Sequence, residues 1–535
     1  MTNPTQTRRR ILYYYDGWGP FLRGGKPENL CESIDILADS QITTVLLSPN
    51  IGQSVSYPSE VSQLSHWRPL SPETEAALRK GMGPFFTTVT HNVADLWRTH
   101  KVDSFRLMTD HARKRGLEVF TSIRMNDTHM LGLDDGNGPY TDPFYREHPE
   151  WRIPPMGGAG RHSGGALNYA IPEVRRHRLE LMEELLRRYD FTGLELDFVR
   201  GPPFFLSDRP ELEQDLYARF PRFPRDLSEK GIPIMNGFVR EVREMANRIG
   251  REKGIPIAVC ARVPSTLSGC RRVGLDPAAW HRDGCLDFLT VARFLQIWFD
   301  YPLADFRNAL PGLPVHACIE HIVNAKNEQN HNFSRDASPE ALRGAVASAY
   351  AQGASGITLY NLFVTLGKSP TPDGRDFRHP EPVEVFHEIG ATETLEGTDK
   401  LYLVDATFPF FDLRFWDSHA PLPAGVTPDS PLITSLIVGE AQPGSRHIVL
   451  RVVLASSARD IEVAVQLNGV TQGRGRIATT PHLFVEPYDE CPPSPDHCID
   501  FEVDGSALAY GRNEVALMAS RPATVVGIEL AVRTA

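Results

Sequence analysis

The run Glu173–Arg200, EVRRHRLELMEELLRRYDFTGLELDFVR, decides the fold. Its first part is a helix by pattern: over 173–189, Val174, Leu181, Leu185 and Leu186 recur at helical spacing, Pro172 precedes them and charges cover the other face. Its last part, 193–200, is a strand by pattern, bounded by Asp190 before and Gly201-Pro202-Pro203 after. Side chains two apart on a strand share a face, so Glu195 and Asp197 point one way and Leu194, Leu196 and Phe198 the other. An unpaired carboxylate in a core is very costly, so this pair marks a polar cavity where Asp197 meets partners or substrate. The plainer reading is a structural ion pair, with Glu195 held by an arginine of a neighbouring strand.

The same alternation extends in both directions. Strands are expected at 11–18, 43–49, 117–126, 193–200, 255–263, 286–294, 314–321 and 356–363, with helices at 28–39, 103–115, 173–189, 233–252, 276–283, 302–309 and 338–352. Eight such units predict an α/β fold, a (β/α)8 TIM barrel. An open doubly wound sheet is the alternative, weakened because no glycine-rich phosphate loop follows the first strand. Long connections follow strand two (50–102), strand three (128–172) and strand four (201–232), on the face where barrels build their sites. Segment 155–165, PMGGAGRHSGG, reads as a mobile wall or a plain linker.

Past residue 380 the helical pattern stops. Segments 447–455, 460–469, 498–504, 511–519 and 524–533 alternate as strands between Gly, Pro, Asn and Asp turns. The chain therefore divides into a barrel domain, 1–390, and an all-β, jelly-roll-like sandwich domain, 391–535.

A length of 535 residues exceeds one ordinary core. Hydrophobic content of 41%, charged content of 23% and a mean hydropathy of -0.28 fit a globular chain, and no apolar run approaches the roughly 20 residues of a membrane span. The net charge of -11 argues against a nucleic-acid footprint, which wants a basic face, and leaves neutral or cationic ligands easier to hold. The N-terminal MTNPTQTRRR leads into ILYYYDGWG, too polar and short for a signal-peptide core, so a cytoplasmic location is expected. Seven scattered cysteines without CxxC spacing fit reduced thiols, with Cys491 and Cys498, flanking a Pro-rich loop, the one candidate bridge.

An acid at the C-terminal end of a barrel strand is the informative kind. Asp197 ends strand four and Glu320 ends strand seven. Around them stand Asp16 and Trp18 from strand one, Arg124, Asn126, Asp127 and His129 from strand three, Arg200 after strand four and Arg262 from strand five. Trp298 follows strand six, His321 follows Glu320, and Tyr360 and Asn361 end strand eight. Acids, amides and arginines match sugar hydroxyls, while Trp and Tyr match apolar ring faces. Cleavage of a glycosidic bond needs two carboxyls, for which Asp197 and Glu320 are the pair, on strands that lie across the barrel. A rival pairing keeps Asp197 as nucleophile and takes the acid from Asp127 or a loop. Glu195, one pleat deeper, and Arg200 are supporting residues, Glu195 being expected to orient Arg124 or Arg200 and keep Asp197 ionised. Metal ligation through Asp127, His129, His316 or His321 is the second reading, although no spaced ligand motif is present. Cys318 reads as a small buried hydrophobe.

The motifs GLELDFVRG, RMNDTH and YYDGWG resemble those of bacterial (β/α)8 barrel proteins related to the glycosyl-hydrolase-like family 10 group, over about residues 10–390, and the β-sandwich also fits. The resemblance implies a glycoside hydrolase barrel with Asp197 as a catalytic carboxylate. An acid on strand four with a glutamate on strand seven is also similar to the large clan of retaining glycosidases. That clan ends strand four in Asn-Glu; Asp-Phe-Val-Arg here is more like the nucleophile strand of α-glycosidase and α-galactosidase barrels. The expected function is thus a glycoside hydrolase taking a saccharide or glycoside, with no cofactor, metal, nucleic acid or membrane as partner and with a homo-oligomer left open. The alternatives are a metal-dependent lyase or isomerase on the same barrel and a non-catalytic carbohydrate-binding protein.

Overall fold

The computed structural model describes residues 9–17, 19–22, 24–62, 71–82, 84–128, 131, 140–153, 165–201, 203–208, 228–294, 296–323, 335–362, 383–406, 420–440, 446–455, 461–480, 482–484 and 497–534. Eight parallel strands close into a barrel: β1 (Arg10–Tyr15), β2 (Thr44–Leu47), β3 (Glu118–Arg124), β4 (Gly193–Asp197), β5 (Ala258–Pro264), β6 (Phe288–Ala292), β7 (Val315–Ile319) and β8 (Gly356–Leu359). Each pairs with its neighbours in chain order and β8 returns to β1, through Ile11↔Ile357 and Leu12↔Thr358. These strands are short and apolar because helices cover the outside and side chains fill the inside, which buries both faces.

The expected helices are present as α1 (Pro27–Ala38), α2 (Ser104–Lys114), α3 (Pro172–Arg188), α4 (Ile232–Lys253), α5 (Pro277–Arg282), α6 (Leu303–Ala309) and α7 (Pro339–Ala351). In α3, Pro172 stands in the first turn, where its missing N–H costs nothing, and Val174, Leu181, Leu185 and Leu186 form the buried stripe. The connection after β2 differs from the loop expected at 50–102, for it contains helices Pro72–Met82 and Pro84–Arg98. No helix among the described residues is long and apolar enough to cross a membrane.

The C-terminal part contains two antiparallel sheets. Its strands are β9 (Lys400–Leu403), β10 (Ala424–Val426), β11 (Leu432–Val438), β12 (His447–Leu454), β13 (Val463–Leu467), β14 (Val470–Thr471), β15 (Arg476–Ile477), β16 (His497–Val503), β17 (Gly511–Ala519) and β18 (Ala523–Arg533). One sheet runs β9-β18-β12-β16-β15, with β10 also on β18, and the other runs β11-β17-β13-β14. The five segments named from sequence fall on β12, β13, β16, β17 and β18, and β9, β10, β11, β14 and β15 are further strands of the same region. The candidate bridge to Cys498 falls on Cys491, which lies outside the described residues.

Helix α7 joins barrel to sandwich. Its Ser348 hydroxyl donates to the Ile437 carbonyl at 2.8 Å, and its backbone at Gly344 lies so close to β9 that a Cβ there would stand 2.0 Å from the Leu401 carbonyl oxygen. Gly344→Ala should therefore force α7 and β9 apart and lower stability by about 1–3 kcal/mol. Gly237→Ala, in α4 with nothing within 4 Å of the added carbon, should instead raise it by up to about 1 kcal/mol. Thermal melts of the two variants check this, and equal signs would contradict the close approach at Gly344.

Candidate active site

The site starts from strand register. Arg124 on β3, Asp197 on β4 and Arg262 on β5 are adjacent Cα partners, so one level of the barrel interior reads cation, anion, cation across three strands. One pleat below, Ser122, Glu195 and Cys260 form the next level. All six are buried, and the charged ones among them must find partners there.

Asp197 and Glu320 find the same partner. Arg262 Nη1 donates to both oxygens of Asp197, at 3.1 and 3.3 Å, and Nη2 donates to Glu320 Oε1 at 2.6 Å. Tyr360 Oη donates to Asp197 Oδ2 at 3.1 Å, and Asn361 Nδ2 donates to Glu320 Oε2 at 3.0 Å. Arg200 closes the circuit, its Nε donating to Tyr360 Oη at 3.0 Å and its Nη2 to Asn361 Oδ1 at 2.9 Å. Arg262, Asp197, Tyr360, Arg200, Asn361 and Glu320 thus form one closed ring of side-chain hydrogen bonds. Arg200 sets its polarity: by donating to Tyr360 Oη it turns that hydroxyl proton toward Asp197, and by taking Asn361 Oδ1 it aims the amide N–H at Glu320.

Local backbone makes the ring reachable. Asp197 terminates its own strand by accepting the Val199 N–H at 3.0 Å, which turns the chain so that Arg200 re-enters the mouth. Gly201 (φ 84°) continues this turn, and a Cβ there would fall 1.4 Å from the Asn126 carbonyl oxygen. Successive strand residues point to opposite faces, yet Tyr360 and Asn361 both face inward because Asn361 takes a left-handed conformation, φ 57°. Tyr360 is gripped on both faces, with Tyr14 stacked at 3.9 Å and the Arg262 guanidinium 3.5 Å from its centroid. Burial pushes the Tyr360 phenol well up against the pull of Arg200, so its proton stays available to Asp197.

A second charged cluster adjoins the first. Arg124 donates from Nε to Tyr14 Oη at 2.9 Å and from Nη1 to Asp127 Oδ2 at 2.9 Å, with Asp16 Oδ2 3.3 Å from Nη2. Asp16 also accepts the Gly19 N–H at 2.8 Å, and Asp127 accepts that of Gly52 at 3.2 Å. The rival acid Asp127 is therefore an ion-pair partner of Arg124, placed by the loop after β2.

Several expected roles change. Asn126 spends its amide on backbone, donating to the carbonyls of Leu167 and Pro203 and accepting from Leu167 N, so it braces two loops. Glu195 orients neither Arg124 nor Arg200; its Oε1 accepts from Ser122 Oγ at 2.7 Å. His316 lies at the barrel floor, stacked on Phe288, where burial lowers its pKa to about 3. His321 stands beside Glu320, 4.0 Å from Oε2. Trp298 lines a cleft between barrel and sandwich. Trp18 and His129 lie outside the described residues. Among the described residues no group of three or more His, Cys, Asp and Glu is placed to hold a metal ion. Tyr14 was missed, though its signal was present: two before Asp16 in YYYDGW, it shares that residue's inward face.

No family model matches this chain, and no curated protein does. Similar solved structures include the PgaB (BpsB) glycoside hydrolase domain from Bordetella bronchiseptica, at 14% identity and TM-score 0.43 over 72% of this chain and 99% of that one. Alpha-L-fucosidase isoenzyme 2 from Paenibacillus thiaminolyticus gives 15% identity and TM-score 0.42 over 74% and 51%. The maltogenic alpha-amylase AmyB from Thermotoga neapolitana gives 12% and 0.37 over 96% and 98%. These neighbours are glycoside hydrolases with barrel folds.

Burial, reinforced by the charge of Asp197, raises the Glu195 pKa from 4.5 to about 7. The fold thus favours protonated Glu195: that contribution is whole below the unfolded value near 4.5 and is lost as pH rises through about 7. Glu195→Gln keeps a neutral side chain of the same shape. The wild type should lose up to about 3 kcal/mol relative to this variant between acid and mildly alkaline pH, as read from chemical denaturation at either end. A difference that stays constant with pH would exclude a buried proton on Glu195.

Proposed function

We propose that this chain is a glycoside hydrolase acting on a saccharide or glycoside, with Asp197 and Glu320 as its catalytic carboxylates. The observation that carries the reading is the closed ring, which places two buried acids from β4 and β7 on one guanidinium and gives each a second, neutral donor. Hydrolysis needs one carboxyl to protonate the leaving oxygen and another to act as nucleophile or to activate water. Arg262 sets the spacing of the two groups, while Tyr360 and Asn361 fix which of their lone pairs stay open to a ligand. Asp16, Arg124, Asp127, His321 and the aromatic faces of Tyr14 and Tyr360 are the recognition set we assign around them. Kinship with the glycosyl-hydrolase-like family 10 group belongs to the same proposal, on the strength of GLELDFVRG, RMNDTH and YYDGWG.

Asp197→Asn and Glu320→Gln should each reduce turnover of an activated aryl glycoside by about 10³-fold or more, with circular dichroism unchanged. Near-wild-type turnover in either folded variant removes that residue from the pair.

A further inference from the structure

A cleft of 720 Å³ lies between barrel and sandwich, and none of the six side chains of the closed ring lines it. That volume is in the range of small-molecule sites. Its floor is apolar: Trp298 and Phe299 from the loop after β6, Leu403 from β9 and Ile437 from β11 are nearly buried there. Leu267, Pro302 and Pro421 form the sides and have more of their surface open.

The polar groups on the rim are reachable, and the capacity they have left over is that of acceptors. Arg512, on β17, has a side chain 60% exposed, but its Nη2 already donates to Asp300 Oδ1 at 2.7 Å and its Nη1 to Ser435 Oγ. Asp300, 31% exposed, keeps Oδ2 with only a long contact of 3.4 Å to Ser435 Oγ. Gln352 spends its amide N–H groups on the Phe299 and Ser348 carbonyls, at 2.8 and 3.0 Å, which leaves Oε1 as its open end. Asp305, exposed in the first turn of α6, has no side-chain partner among the described residues. The barrel wall is fixed before a ligand arrives, because Asp405 takes the Phe299 and Asp300 N–H groups at 3.0 Å each.

We propose that this cleft is a binding site for a short neutral oligosaccharide. A ligand must bring donors to Asp300 Oδ2, Asp305 and Gln352 Oε1, and sugar hydroxyls are donors. It must not bring an anion, because Asp300 already neutralises Arg512 while Asp305 stands unpaired. It must also cover an apolar floor, which the C–H faces of a sugar ring do and a small amine does not. The site stands independently of whether the barrel cleaves a glycosidic bond.

The test is isothermal titration calorimetry on the whole chain, in its Glu320→Gln form so that turnover adds no heat, with maltotriose, cellotriose and ethanolamine. At least one trisaccharide should bind saturably with a Kd on the order of 1 mM, and ethanolamine should not bind. Ala304→Trp, which puts an indole into the cleft from an exposed position of α6, should remove that binding without changing the melt. Asp305→Ala, which takes away one charged acceptor, should weaken it about tenfold. If Ala304→Trp does not fold, Ser268→Trp fills the same cleft from the exposed segment after β5. No saturable binding of either trisaccharide, binding of ethanolamine alone, or undiminished binding in a folded indole variant overturns the site.

Discussion

The contact on which the mouth of the barrel depends is the one between Arg262 and two carboxylates at once. Moving an ion of this size out of water costs several kcal/mol, and mutual attraction offsets that cost only when the remaining hydrogen-bonding capacity is used as well. Here it nearly is. Asp197 accepts from Arg262, Tyr360 and its own strand's Val199, and Glu320 accepts from Arg262 and Asn361. Only Arg262 Nε lacks an acceptor, and the guanidinium it belongs to lies over the Tyr360 ring, which favours a cation without a hydrogen bond. Replacing buried ion pairs by apolar side chains of like volume is often neutral or stabilising, so stability alone is a weak account of the arrangement.

Much of the barrel is legible in the sequence because a strand buried on both faces must be a short, nearly continuous apolar run, and a covering helix must carry an apolar stripe. Both rules act within about 15 residues. The helix Pro84–Arg98, PFFTTVTHNVADLWR, escaped because threonines and valines crowd its middle and weaken the helical pattern. Strand β9 escaped because four residues, KLYL, are too few to show an alternation. The site was legible only as an address. Asp197, Glu320, Arg262, Tyr360 and Asn361 could each be placed at a strand end, but the contacts of Arg262 span 65 and 58 residues of chain, and no local pattern states who pairs with whom. Asn126 shows the cost of this: in RMNDTH it looks like one more ligand for a hydroxyl, and only the folded chain brings Leu167 and Pro203 to its amide.

The acid pair Glu195 and Asp197 sits at two depths with different partners. They sit on one strand and one face, two residues apart, but Asp197 lies at the level of Arg124 and Arg262 whereas Glu195 lies at the level of Ser122 and Cys260. Without a cation of its own, Glu195 is held by one neutral hydroxyl and carries its proton to higher pH, partly because Asp197 above it is charged. Arginine level with Asp197 and serine level with Glu195 are what divide the two.

The sandwich takes part in this geometry through several contacts to the loop after β6, Arg512 to Asp300 at 2.7 Å among them. Asp405, just past β9, accepts the backbone N–H groups of Phe299 and Asp300, and the neighbouring Ala406 carbonyl accepts from Gln296 Nε2 at 3.0 Å. Both contacts hold the loop that follows β6. That loop carries Phe294, whose ring lies 4.8 Å from the Arg200 guanidinium, and Arg200 in turn aims Tyr360 and Asn361 at the two acids. A chain of contacts therefore runs from the first sandwich strand, through the β6 loop, to the polarity of the ring. The Phe294 ring thus adds a packing contact to the two hydrogen bonds that orient Arg200. On this reasoning the sandwich acts as a buttress, and its close seating on α7 at Gly344 is what makes the buttress rigid.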